Sequence, residues 1–329
     1  MSTLSAKALT LVDIAKRLDP DGKAAMIAEV LSQDNPIVTD IPWIEGNLPT
    51  GDQVTIRTGL PAVYFRKLNA GVPNSKSTTA QITETCGIME AYSAIDLDVL
   101  SIQNDAAAFR EQEAVAFIEA MNQQMATSLF YGDSTLNPEQ FNGMGMRYAS
   151  LSATNGANII DAAGNTNLAS MWLIGWGQKS AYGIYPKGSV AGLMHKDLGQ
   201  KTLFDANNNR YQGVEDQFQW KCGSVLKDWR YAVRVANIDT AALTKGAATG
   251  ADLIDLVTRM AVRLHSANGV MPVVYGNRTI EGALRRQMVN KPLNSTLRIE
   301  DAFGKQTLMC GEFPFHRCDA LTNSETKVT

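Results

Sequence analysis

The sequence predicts an α+β protein, with strand-forming and helix-forming stretches in separate blocks of the chain, and three observations carry that reading. Residues 40–102 turn from helical to alternating character and fold back through a run of turn formers. Residues 105–130 hold an apolar helical stripe for ~26 residues, or ~39 Å at 1.5 Å per residue. Residues 252–288 read as helix, strand and helix again.

The 329 residues suggest about two domains, and 45% apolar content is enough for a sizeable core. Thirty basic residues against 33 acidic ones leave a net charge of −3 with no basic stripe, which argues against tight, specific binding of nucleic acid. No apolar run approaches the roughly 18 residues of a membrane span. Lys7 and Lys16 flank the short runs Ala8-Leu9 and Leu11-Val12, so no secretion signal is expected. Cys86, Cys222, Cys310 and Cys318 are scattered without a CxxC pair, a usage that fits a reducing cytoplasm better than a disulfide framework.

Taken in order, residues 4–34 read as two short helices broken at Asp19-Pro-Asp-Gly22 and stopped at Asn35-Pro36. Neither can bury much alone, so they suggest an arm in search of a partner surface. Gln53–Thr58 alternates like a strand, and Ala62–Lys67 is a second β-rich run. Asn69–Ser77 is a string of turn formers, Gln81–Ile88 returns, and Ile95, Leu97 and Val99 alternate with Ala94, Asp96 and Asp98. A hairpin of this length with a polar tip is marginal by itself and should lie on something, a neighbouring subunit being a good candidate.

The long helix should open on Asp105 as N-cap and present Phe109, Ile118, Met121, Met125 and Leu129 on one face. Tyr131-Gly132-Asp133 should stop it. Residues 145–248 read mostly as short β-like runs, with Met171–Gly175 a buried strand and Tyr231, Val233 and Val235 sharing a face. Residues 241–250 look like a linker, and 300–329 like strands ending in a polar tail.

Motifs for chemistry are missing: GxxxxGK[ST], a helix-opening GxGxxG, HExxH and GxSxG are all absent. Cys310, His316 and Cys318 fall one ligand short of a closed zinc set, and their spacing matches no common finger. His195 and His265 stand in unrelated contexts, and His265 suits a helix end. Glu111 and Glu113, two apart on a helix, point different ways and make no carboxylate pair. Glu84 and Glu90 read as solvent or interface charges on the hairpin, and the five Trp residues as packing. No catalytic, cofactor-binding or metal-ligating residue is assigned.

The order of parts is distinctive: helical arm, long hairpin, long helix, Gly stop, mixed region. Leu129-Phe-Tyr-Gly-Asp133, then Pro138-Glu-Gln-Phe-Asn-Gly143, then Arg230-Tyr-Ala-Val-Arg-Val-Ala-Asn-Ile238 and Cys318-Asp-Ala-Leu321 with Glu325 beyond, give local matches. In this layout the chain resembles the major capsid proteins of tailed bacteriophages, the Johnson-fold shell proteins, over nearly its whole length. The resemblance implies an N-terminal arm (1–40), an extended β-hairpin loop (41–102), a peripheral domain with spine helix 105–130 (103–160), an axial domain (161–299) and C-terminal strands returning to the peripheral domain (300–329). Helix–strand–helix units in many such proteins follow the spine helix closely. Here that unit comes roughly a hundred residues later, which resembles the rearranged connectivity of some short-tailed phages, the Bordetella phage type among them.

The resemblance implies hundreds of copies assembling as pentamers and hexamers into an icosahedral shell around a double-stranded DNA genome. Implied partners are a scaffolding protein, a portal, a cement protein and non-specifically contacted DNA, with no membrane. The place is the virion capsid, assembled in the host cytoplasm, and no enzymatic activity or cofactor is expected. Arg66, Lys67 and Lys76 near the hairpin turn would pair across subunits with Glu111 or Glu113 of a neighbour's long helix, the alternative being that they are solvated loop charges. Two other readings remain open: an encapsulin-type compartment, which a cargo-enzyme gene nearby would favour, and an enzyme, which a deep pocket with convergent His and carboxylates would favour.

Overall fold

A computed structural model describes residues 32–102, 105–205, 207–244, 250–290, 297–302 and 305–329. The expected N-terminal helices therefore lie outside the described residues, except that residues 32–34 are not helical and that a short helix, Ile37–Asp40, follows the expected stop at Asn35-Pro36. The strands are β1 (Trp43–Glu45), β2 (Gly51–Gly59), β3 (Thr78–Thr85), β4 (Gly87–Asp96), β5 (Ile159–Asp161), β6 (Leu168–Trp176), β7 (Ala181–Tyr185), β8 (Leu193–Phe204), β9 (Arg210–Leu226), β10 (Ala232–Asp239), β11 (Met271–Gly276), β12 (Leu297–Ala302), β13 (Lys305–Cys310) and β14 (Phe313–Arg317). The architecture is α+β, as the sequence predicts.

The body is a sheet built around β6, which pairs antiparallel with β10 on one side and β11 on the other. Every residue of β6 is buried. Its period of two serves both faces of the sheet. Trp172, Ile174 and Trp176, with Ala232 and Tyr275, face the long helix Ala106–Tyr131. Met171 and Leu173, with Val233, Val235 and Val274, face the helices Leu253–Arg263 and Arg278–Asn290. The two helices of the helix–strand–helix pattern of residues 252–288 thus cover one face of the sheet, its strand β11 joins the sheet, and β14 extends the sheet as the parallel neighbour of β11.

The long helix has 26 residues and begins where predicted: the Asp105 carboxylate accepts a hydrogen bond from Ala108 N at 3.0 Å. Phe109, Met121, Met125 and Leu129 are buried, while Ile118 is exposed, against expectation. The reason is that the body covers the C-terminal half of the helix more fully than the N-terminal half. Gly132 ends it without a left-handed turn, at φ −56°. Glycine serves there for room: a Cβ would lie 2.4 Å from the Phe141 carbonyl oxygen, and at Gly143 a Cβ would lie 2.7 Å from that of Ser128. The loop between them folds flat against the helix end, with Gly143 N bonded to Gly132 O.

Three further expectations fail. Ala62–Lys67 forms no strand; β2 and β3 pair only over 51–59 and 78–85. The alternating run ends at Asp96, and Leu97–Ile102 is a short helix that buries Val99 and Leu100. Residues 193–226 are two long strands rather than short ones. β9, of 17 residues, is the middle of a ribbon β4-β9-β8 along the long helix, where Phe117 stacks on Phe218 at 5.4 Å. Its inward positions alternate through Val214, Asp216, Phe218, Trp220 and Cys222, and the acid at 216 masks the pattern. Arg110 of the helix neutralises that acid at 2.8 Å.

Candidate assembly surfaces and the joints behind them

Residues 60–77 join β2 to β3 as an irregular tip in which every residue but the half-buried Ser77 is exposed. It carries Leu60, Val63, Tyr64, Phe65, Leu68 and Val72 in the open, Phe65, Leu68 and Val63 at more than 90% of full exposure. An apolar patch of this kind marks a surface that expects a partner. Arg66, Lys67 and Lys76 stand exposed among these residues. Glu111 is exposed and Glu113 half-buried on the long helix, on the stretch that also bares Val115 and Ile118.

The root of the hairpin is held firmly. Val54 and Ile56 pack on Tyr182, Ile184 and Val225. Asp52 and Glu84 face each other across the pair and are both buried. Each has its own partner: Tyr182 donates its hydroxyl to Asp52 Oδ2 at 2.6 Å, and Arg147 forks onto Glu84, with Nη2 to Oε2 at 2.9 Å. Reading Glu84 as a surface charge is therefore corrected, while Glu90 is exposed on β4 and accepts from Tyr92, Gln217 and Gln219.

A second joint gathers the segments that carry the resemblance. Arg234 of β10 pairs with Glu325 at 2.7 Å, both about 5% exposed, and also reaches Ser170 Oγ and Tyr148 O. Tyr131, at the end of the long helix, donates to the other Glu325 oxygen at 2.6 Å; burial, with that carboxylate beside it, raises the phenol far above its ordinary range. Asn237 holds Val328 by both its N–H and its C=O. The polar tail is thus packed into the body, and it borders a cavity of about 390 Å³ beside Tyr131 and Met146. Sequence spacing could not show this joint, because its bonded members lie 64 to 194 residues apart.

The remaining candidates are dispersed. Cys310 lies in the core beneath the two sheet-covering helices and Cys318 in the core against the long helix, while His316 bonds Asp40 at 2.6 Å. No group of His, Cys, Asp and Glu able to hold a metal occurs among the described residues. His195 bonds Asp216 and stacks on Phe218, and His265 meets Tyr231 edge-on. Burial pushes the Cys310 and Cys318 thiols up to about 12, values of inert core thiols. No helix among the described residues is long and apolar enough to cross a membrane.

A packed body with an apolar hairpin held out from it defines a protein made to be tiled against its neighbours. Comparison with known proteins gives the class its family: residues 19–329 match the family of major capsid protein GP7, and the chain belongs to it. It is a phage major capsid protein, a subunit of the icosahedral shell. In structure it is similar to a chain of bacteriophage epsilon15 solved by cryo-EM, at 31% identity, with TM-score 0.77 and all of both chains covered. Weaker likenesses are the capsid of a native GTA particle (9% identity, TM-score 0.47, 67% of this chain and 95% of that one) and the holo-SrpI encapsulin complex of Synechococcus elongatus (10%, 0.43, 70% and 96%). Neither carries weight at those values. No curated protein matches the chain.

Proposed function

We propose that the shell is built from pentamers and hexamers of this chain around a double-stranded DNA genome, with the hairpin tip of each subunit seated on its neighbour. The observation that carries this is the tip itself, where large apolar side chains stand in water in the isolated subunit and would be covered in the assembly. Arg66, Lys67 and Lys76 would then meet Glu111 and Glu113 of the neighbour's long helix, beside Val115 and Ile118. Exposed ion pairs add little each, so their role would be register more than strength.

The division into arm 1–40, hairpin loop 41–102, peripheral domain 103–160, axial domain 161–299 and C-terminal strands 300–329 belongs to this reading, as does the rearranged order of the helix–strand–helix unit. A scaffolding protein, a portal and a cement protein are its partners, the host cytoplasm is the place of assembly, and catalysis is no part of it.

The test is sedimentation with negative-stain imaging after co-expression with the scaffolding protein. The unaltered chain should give megadalton hollow particles. Arg66→Glu with Lys67→Glu should leave the subunit folded and reduce particle yield at least ten-fold. Normal particles from that variant would remove the charge pairing from the reading.

A further inference from the structure

We infer that the Glu84–Arg147 ion pair, with Asp52–Tyr182 beside it, is the positioning joint that fixes the direction in which the hairpin leaves the body, and thereby the geometry of the closed shell. This rests on the reading above that the tip docks on a neighbour.

Two carboxylates directly opposite each other on antiparallel strands repel, and burial strengthens the repulsion. Asp52 and Glu84 occupy that arrangement, with the residues only 8% and 7% exposed. A root held by packing alone would do better with apolar residues there. What the acids add is direction. Arg147 spends one guanidinium edge on Glu84 of β3, and its Nη2 also donates to Asn142 O at 3.3 Å, after the long helix, and to Ser224 O of β9 at 3.1 Å. One side chain therefore ties the hairpin to the long-helix end and to the ribbon together. Tyr182 does the same for β2 from β7.

The backbone around the joint leaves little slack. A Cβ at Gly51 would fall 1.9 Å from Glu84 O, at Gly46 2.3 Å from Gly51 O, and at Gly223 2.7 Å from Thr85 O. Past Ile56 the hairpin has no such support. The reach from residue 52 to residue 68 is at most roughly 50 Å, the limit set by ~3.3 Å per residue, so a ~5° swing at the root moves the tip by up to ~4 Å. A displacement of that size takes an apolar side chain out of its neighbour's surface.

The test separates direction from stability. Glu84→Gln with Arg147→Met removes both charges together, so neither is left buried alone. Spin labels at Thr79→Cys on the hairpin and Asn137→Cys on the body, in a Cys86→Ser background, report the hairpin's direction in the unassembled subunit. We expect one narrow distance distribution with Glu84 and Arg147 in place, and one at least twice as broad in the double variant. Arg147→Lys, which keeps the charge and loses the fork, should give an intermediate width, and decides the matter alone if the double variant does not melt cooperatively. In assembly, particles of mixed diameter and open sheets should replace uniform shells. An unchanged distance distribution, or uniform shells from folded double-variant subunits, would overturn the joint. Uniform shells from Phe65→Ala with Leu68→Ala would instead overturn the docking of the tip, leaving the distance result to stand by itself.

Discussion

Leu60-Pro-Ala-Val-Tyr-Phe65 and Met171-Trp-Leu-Ile-Gly-Trp176 are apolar runs of equal length, and they end in opposite surroundings. The second is the buried middle of the body sheet. The first stands in solvent at the end of a lever. The hydrophobic effect acts equally on both, so the difference lies in where each run finds its cover. β6 finds it within the chain, from a helix on one face and two helices on the other. The tip has to find it on another molecule. A shell subunit needs both kinds of run, one to make the tile and one to join it.

The sharpest test of that contrast exchanges the effects of truncation. Trp172→Ala should cost the subunit ~3–5 kcal/mol, read from urea denaturation of unassembled protein. Phe65→Ala should leave that transition within ~0.5 kcal/mol, because it removes no contact in the subunit, yet abolish hollow particles on sedimentation. A destabilised Phe65→Ala subunit would mean that the tip already packs on its own body. Next in size is Glu325→Ala. It leaves the Arg234 guanidinium buried without its carboxylate and should cost ~3–5 kcal/mol in the same measurement, although residue 325 lies in a tail that reads as solvent-exposed.

How legible these regions are in sequence follows from whether their determinants are local. The long helix is legible to within one residue at both ends, since Asp105 and Gly132 are neighbours of the turns they shape. The helix–strand–helix cover is legible for the same reason: Leu253, Leu256, Val257 and Met260 repeat within one element. β9 is not, because its inward Asp216 is explained by Arg110, 106 residues away. Glu84 looks like a surface charge until Arg147, 63 residues on, folds onto it. The tip is half legible: its turn formers and cations are plain in the sequence. The β-rich look of Ala62–Lys67 misleads, since β propensity here reports side chains suited to burial rather than a strand paired within the chain.

Cys86 stands between the two regions, at the step from β3 to β4. Burial, with the Asp52 charge nearby, pushes its thiol from the ordinary 9.0 up to about 11. At pH 8 its thiolate fraction, and so its rate of alkylation, should be ~100-fold below that of the unfolded chain. The sign follows from the direction of the shift. The unfolded thiol ionises first, so the stability tied to the neutral thiol is complete below pH 9 and declines as pH rises from 9 toward 11. Rapid alkylation at pH 8 in the folded subunit would mean that the hairpin root opens.

A modest effect on the subunit should come from Asp105→Ala, and it bears on the contrast from the other side. Losing the cap should cost ~1 kcal/mol, with Asp105→Ser recovering most of it. The turns it starts are those the body covers least, where Glu111, Val115 and Ile118 are exposed. Fraying there loosens Phe109 and the Arg110–Asp216 pair within the subunit and would also disturb the platform offered to a neighbour's tip. Particle yield should therefore fall by more than the loss of subunit stability accounts for, with faster amide exchange over residues 106–118. A yield that follows stability alone would place the neighbour's tip elsewhere on the body.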